Sequence, residues 1–173
     1  MTTQTYYHIY NHAIGDEIFF REQTNYEFFL KQVEKYLIGE IKLHAYVLMP
    51  NHFHLMVSIN EGMEEQAFHQ LSKLFNSYAK AYNKFYSRRG SLFIKIFKRA
   101  RLDTIIDVKR TMLYIHRNPL HHGFTSFYHV WQYSSYIKII DPVFSSKLID
   151  KDLALKLFGG IGPFLLAHEN YKH

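Results

Sequence analysis

The run from Leu43 to Asn60 contains no charged side chain and is broken in its middle by Pro50 and Asn51. A membrane-spanning helix needs about 20 consecutive apolar residues. This run holds a proline and three histidines instead, so it is no membrane span. Pro-Asn is a turn signal, and the run reads as two strands, Ile41 to Leu48 and His52 to Ile59, folded into a tight antiparallel hairpin. On a strand, side chains alternate between faces with period two. His52 and His54 therefore share one face, and Phe53 and Leu55 pack on the other.

The rest of the chain alternates strands and helices around this hairpin, without an internal repeat or a low-complexity linker. Tyr6 to His12 reads as a strand, and Glu22 to Leu37 as a helix with Tyr26, Phe29, Leu30, Val33 and Leu37 on one face. Glu64 to Phe85 is a long helix whose apolar stripe is Phe68, Leu71, Phe75, Tyr78, Tyr82 and Phe85, and Gly90 breaks the pattern beyond it. Leu92 to Leu102 alternates apolar and basic residues as a half-exposed strand does. Asp107 can cap a helix running to Asn118, which Pro119 is expected to end because the residue before proline is pushed out of the α region. The order β-α-β-β-α-β-α predicts an α+β protein, a ferredoxin-like sandwich with helices packed on a largely antiparallel sheet.

At 173 residues the chain suits one domain with a real core. Cysteine is absent, which excludes a disulfide framework, a cysteine nucleophile and any thiolate zinc site. Met1-Thr-Thr-Gln-Thr lacks the basic and apolar regions of a secretory signal. Thirty aromatic residues and a formal charge of +6 point to a polyanionic partner. The charge is concentrated. Between Gln66 and Leu102 stand nine basic residues, Lys73, Lys80, Lys84, Arg88, Arg89, Lys95, Lys98, Arg99 and Arg101, and no acidic one. Interleaved Phe75, Tyr78, Tyr82, Phe85, Tyr86, Phe93 and Phe97 could stack on bases, although helical spacing assigns most of them to the core.

Two places can carry chemistry. His52 and His54 offer two imidazoles to one divalent cation, and a usable site needs a third ligand. A histidine-triad hydrolase would place another histidine at position 56, where Met56 stands. The second place is Tyr114-Ile-His-Arg-Asn-Pro119. Tyr114 and Asn118 lie four apart on one helical face, with Arg110 one turn earlier. An amide oxygen can ligate a metal, and a phenol beside that metal can become a nucleophile. Tyr78 with Tyr82, and Tyr82 with Tyr86, share that spacing without the amide.

His44-Ala-Tyr-Val-Leu-Met-Pro-Asn-His-Phe-His-Leu55, followed downstream by Tyr114-Ile-His-Arg-Asn-Pro119, resembles the single-tyrosine HUH transposases, and most closely the REP-associated tyrosine transposases of bacteria. The likeness extends to Tyr7-His-Ile-Tyr-Asn11, Gly90-Ser-Leu-Phe93 and Trp131-Gln-Tyr-Ser-Ser-Tyr136. His12-Ala13 departs from it, since relatives often carry arginine and glycine there. The resemblance implies a metal-dependent single-stranded DNA endonuclease and strand transferase. Tyr114 would be the nucleophile forming a 5′-phosphotyrosine intermediate, and His52, His54 and Asn118 the ligands of Mg²⁺ or Mn²⁺. Lys80, Lys84, Arg88, Arg89, Lys95, Lys98, Arg99, Arg101, Arg110 and Arg117 would contact DNA carrying a hairpin element.

It further implies a cytoplasmic bacterial protein, nucleoid-associated when bound to DNA, with no membrane partner and with a homodimer allowed. Residues 1–148 would form the catalytic domain and residues 149–173 a helical tail packed on it. There Asp150 can cap a short helix through Leu157, and Gly159-Gly160 and Gly162-Pro163 are expected to stop it before Phe164, Leu165 and Leu166. A DNA- or RNA-binding module that is catalytically silent is the alternative reading. A small-phosphoester hydrolase would leave the basic, aromatic-rich segment without a purpose.

Overall fold

The computed structural model describes residues 3–37, 39, 41–94, 96–145 and 147–172. Four strands, β1 (Gln4–His12), β2 (Ile41–Met49), β3 (His52–Asn60) and β4 (Lys98–Leu102), form one sheet in the order β2-β3-β1-β4 with every neighbour antiparallel. With α1 (Gln23–Tyr36) and α2 (Glu64–Phe85) as the two crossovers, this is the expected ferredoxin-like α+β sandwich. The hairpin turns on Pro50-Asn51, with Met49 paired to His52. A bulge at His44 shifts the register of β2, and the extra imidazole is buried against the Ser58 hydroxyl at 2.8 Å.

Both faces of the sheet are covered, which explains why β2 and β3 are buried almost throughout. On one face Phe53 meets Phe29 of α1 and Phe75 of α2, with Phe19 and Phe93 around it. Burying such a ring is worth roughly 1.5–3 kcal/mol. On the other face lies α3 (Ile105–His121), which packs on β2, β3 and β4. The tail follows as α4 (Ser135–Ile140), α5 (Lys151–Phe158) and α6 (Ile161–Asn170).

The motif around Trp131 ties this tail to the edge strand β2. The Trp131 indole donates to the Leu48 carbonyl at 3.0 Å, the Tyr46 amide donates to the Ser135 hydroxyl at 2.9 Å, and Ser134 bridges Val47. Edge strands need such cover because their unpaired amides invite aggregation.

Five expectations are corrected. The fourth strand is short. Leu92, Phe93 and Phe97 turn into the core, where Phe93 and Phe97 both pack on Phe75, and the strand begins only at Lys98 and is exposed up to the half-buried Leu102. Phe85 is not part of the buried stripe of α2: it is 74% exposed, and Leu74 and Ala67 join the stripe instead. In α3 the N-cap is Thr104, which receives the Asp107 amide while the Asp107 carboxylate accepts from the Thr104 amide, a capping box. Pro119 does not end that helix. It sits inside the last turn, where only one backbone bond is lost, and Asn118 ahead of it is held helical by burial and a side-chain bond to β3.

The fifth correction lies at the C terminus. Gly159, with φ of +90°, closes α5 one residue later than expected, but Gly162 and Pro163 open α6 instead of preventing it. Proline is tolerated in a first helical turn because its missing N–H would have had no partner there. Phe164 is then buried against His116, Tyr136 and Phe158, while Leu166 stays exposed.

Candidate active site

β3 presents His52 and His54 to the face covered by α3, and α3 presents Tyr114 and Asn118 back to them. Positions two apart on a strand are separated by about 6.6 Å, and positions four apart on a helix by about 6 Å of rise. The two pairs therefore meet in step. His52 Nε2 stands 2.9 Å from Asn118 Oδ1, and the Tyr114 ring lies edge-on to the His54 ring at 5.4 Å. The other His52 nitrogen, Nδ1, meets Asn51 Oδ1 at 2.8 Å.

The neighbouring strand β1 adds residues that sequence reasoning did not select. Tyr10 pairs with His54 and His12 with His52 in the sheet register, so their rings lie beside the candidate ligands. Tyr10 stacks on His54 with an interplanar angle of 22°, and His12 on His52 with centroids 5.0 Å apart. His8 lies diagonally across, its Nε2 2.9 Å from His54 Nδ1. The period-two run Tyr6, His8, Tyr10, His12 was the signal that could have placed all of them on this face. At position 12 the departure from the family pattern thus supplies a ring beside His52.

Burial sets the ionisation of these groups. The His52 imidazole is pushed down to about 4 by burial, against the pull of its bond to Asn118, and burial lowers His8 to about 4 as well. Burial holds His54 well below the ordinary imidazole range, with His8 adding to the effect. All three rings are neutral at pH 7, which for His52 and His54 is the state a metal ligand needs. The Tyr114 phenol is raised, first by burial, and the neighbouring Asn118 side chain works the other way. Tyr171, just beyond α6, and Tyr10 lie close enough to add to the rise.

The donor set, two imidazoles and an amide oxygen, could hold a divalent cation. Two ligands at right angles on bonds of about 2.1 Å stand about 3.0 Å apart, close to the 2.9 Å between His52 Nε2 and Asn118 Oδ1. The Asn118 amide nitrogen is buried without a hydrogen-bond partner, so this side chain is not placed there to satisfy itself. Among the described residues no cluster of three or more His, Asp, Glu or Cys side chains is gathered for a metal, which makes the amide essential to any site here.

The basic residues do not form one stripe. Lys98 shares the histidine face, its ammonium 5.9 Å from the Tyr10 ring, and Arg110 lies one turn before Tyr114 on α3. Arg99 and Arg101 point to the opposite face, where Arg99 covers Phe68 and Arg101 pairs with Asp103 at 2.8 Å. Lys80, Lys84 and Arg89 are exposed at the far end of α2 and beyond it. Arg88 spends its guanidinium on Glu17, Asn83, Gly90 and Ser91. Arg117 donates to the His168 carbonyl and covers Tyr128, holding α6 in place. Lys95 lies outside the described residues. Phe75, Tyr78, Tyr82, Phe93 and Phe97 are core, with the Tyr78 and Tyr82 hydroxyls donating to the Phe19 and Ile18 carbonyls.

A cavity of about 820 Å³ opens at the other end of the hairpin, against Lys42, Lys147 and Asp150. It carries none of the imidazoles or phenols above.

No family model matches the sequence, and no curated protein matches it. A solved structure of a REP-associated tyrosine transposase bound to a REP hairpin is similar in fold, with a TM-score of 0.65 and 14% sequence identity, over 84% of this chain and 86% of that one. The chain has the fold of that transposase. Among the described residues no helix is long and apolar enough to cross a membrane.

Proposed function

We propose that the protein is a metal-dependent nicking and joining enzyme of the single-tyrosine HUH type, acting on single-stranded DNA through Tyr114. In this reading residues 1–148 are the catalytic domain, residues 149–173 close it, and the enzyme works in the cytoplasm. The observation that carries the reading is the register of two residue pairs, His52 with Asn118 and His54 with Tyr114. The solved structure of similar fold is bound to a REP hairpin, which supports a hairpin-bearing DNA as the partner in this reading.

His52, His54 and Asn118 would hold the cation, which supplies Lewis-acid polarisation of a phosphodiester. Tyr114 Oη attacks phosphorus and loses its proton to solvent. The P–O3′ bond breaks, the 3′ oxygen takes up a proton, and the 5′ phosphate stays on Tyr114. Attack by another 3′-hydroxyl reverses the step and joins the strands, with no nucleotide cofactor consumed. Lys98 and Arg110 flank this face and suit the neighbouring phosphates.

Incubation with a labelled single-stranded hairpin oligonucleotide and Mn²⁺ tests the proposal. The expected result is a covalent protein–DNA adduct that survives denaturation. Binding without an adduct would leave a silent module, and neither would end the reading. His52→Ala and His54→Ala abolish the adduct while DNA affinity stays within about threefold, because phosphate contacts elsewhere dominate affinity. A further expectation concerns salt. Replacing Lys98 and Arg110 together by Gln lowers the slope of log Kd against log salt by about 1.4, at about 0.7 per phosphate on a single strand. An unchanged slope would remove both residues from the DNA track.

A further inference from the structure

We propose that His8 is a positioning residue for the metal ligand His54, a role that rests on the metal-site reading above. The two rings meet nitrogen to nitrogen, His8 Nε2 to His54 Nδ1 at 2.9 Å. Such a contact holds one proton, so one ring donates and the other accepts. A His54 that ligates through Nε2 must carry its proton on Nδ1. His8 Nε2 is then the acceptor, and His8 keeps its own proton on Nδ1. Ligating histidines ordinarily give this second N–H to a carboxylate or a backbone carbonyl. Here a neutral imidazole takes that place.

The sheet makes the contact possible. His8 pairs with Met56 and Tyr10 with His54, so His8 and His54 are diagonal neighbours on one face, within reach of long side chains. The orientation of His54 is fixed twice. Tyr10 stacks on its face and sets the ring plane, while the bond to His8 sets the rotation within that plane. The Tyr114 ring stands edge-on to both imidazoles, at 5.4 Å from His54 and 5.9 Å from His8. Whatever turns His54 therefore also disturbs the seat of the nucleophile.

Two variants separate positioning from packing. His8→Phe keeps a flat ring and removes the acceptor. His8→Gln places an amide oxygen near the position of Nε2 and restores it. The readouts are Mn²⁺ affinity, by titration calorimetry on the DNA-free protein, and the His54 ring ¹⁵N shifts, by NMR on the same protein without metal. In the wild type His54 is expected as the Nδ1–H tautomer. His8→Phe weakens Mn²⁺ binding about 10- to 100-fold and mixes the tautomers, and His8→Gln recovers most of the affinity.

A wild-type His54 protonated on Nε2 would overturn the proposal, and so would wild-type Mn²⁺ affinity in His8→Phe. Because the wild-type adduct is scored separately, such a result would leave the nicking reading standing. A wild-type protein that binds no Mn²⁺ and forms no adduct would remove both.

Discussion

Tyr114→Phe abolishes the covalent protein–DNA adduct, and with it nicking and strand joining. The substitution removes one oxygen and keeps the ring that packs edge-on against His54 and His8. Folding, Mn²⁺ binding and DNA affinity should all survive, since none of them needs the phenol proton. Without a nucleophile the split of one hard displacement into two easier ones is lost entirely. Mass spectrometry of the trapped wild-type adduct should place the nucleotide on Tyr114. The informative rivals are Tyr10 and Tyr171, the two phenols beside it. Tyr78, Tyr82 and Tyr136 are buried on other contacts and are poor rivals. Label on Tyr10 or Tyr171, or full cleavage by the phenylalanine variant, would reassign the chemistry.

Acid destabilises this protein, because it buries several neutral imidazoles whose charged forms burial disfavours, at His44 even against the pull of Asp150. His116, on α3, is fully buried between α6 and the edge strand β2. Its Nδ1 meets His168 Nε2 at 2.8 Å and its Nε2 meets the Ser135 hydroxyl at 2.8 Å. His168 Nδ1 donates to the Phe164 carbonyl at 2.7 Å, which fixes the ring protons of the neutral pair. His168 Nε2 accepts from His116 Nδ1, and His116 Nε2 accepts from Ser135. A further proton on His116 Nε2 would turn the Ser135 hydroxyl toward the Tyr46 carbonyl at 3.2 Å, so what opposes it is the burial of the charge.

Burial lowers His168 and His44 to about 4 and holds His116 well below the ordinary range. Below about 6.5 the unfolded chain binds protons that the native state refuses, so stability is complete above that pH and falls as pH drops toward 4. His168 and His44 each contribute a loss of about 3 kcal/mol by pH 4. That is a large share of the 5–15 kcal/mol of a typical domain. Urea unfolding measured from pH 7.5 to 4.5 checks this. A flat profile across that window would mean that these imidazoles are protonated in the native state.

Much of this site is legible in the sequence. Strand periodicity alone puts His52 and His54 on one face, and helical periodicity alone puts Tyr114 above Asn118. The bounds of α2 and the hairpin turn were equally readable, because an amphipathic stripe and a Pro-Asn pair are local signals. Arg88 and Arg117 were not readable. As sequence they are two more positive charges in or near a basic run, and their commitment to Glu17 and to the His168 carbonyl comes from segments 71 and 51 residues away. Phe85 fits the periodicity of its helix, yet it lies past the end of the layer that α2 covers.

The same division separates the two halves of the candidate active site. Spacing within β3 and within α3 is a property of the local backbone, so the residues by themselves determine which side chains travel together. Which pair faces which is settled only by docking α3 across the sheet, where the rise of one helical turn matches two strand residues. The contact between His8 and His54 belongs wholly to the tertiary structure. It depends on the register of β1 against β3, and a slip of one residue would send His8 to the opposite face of the sheet.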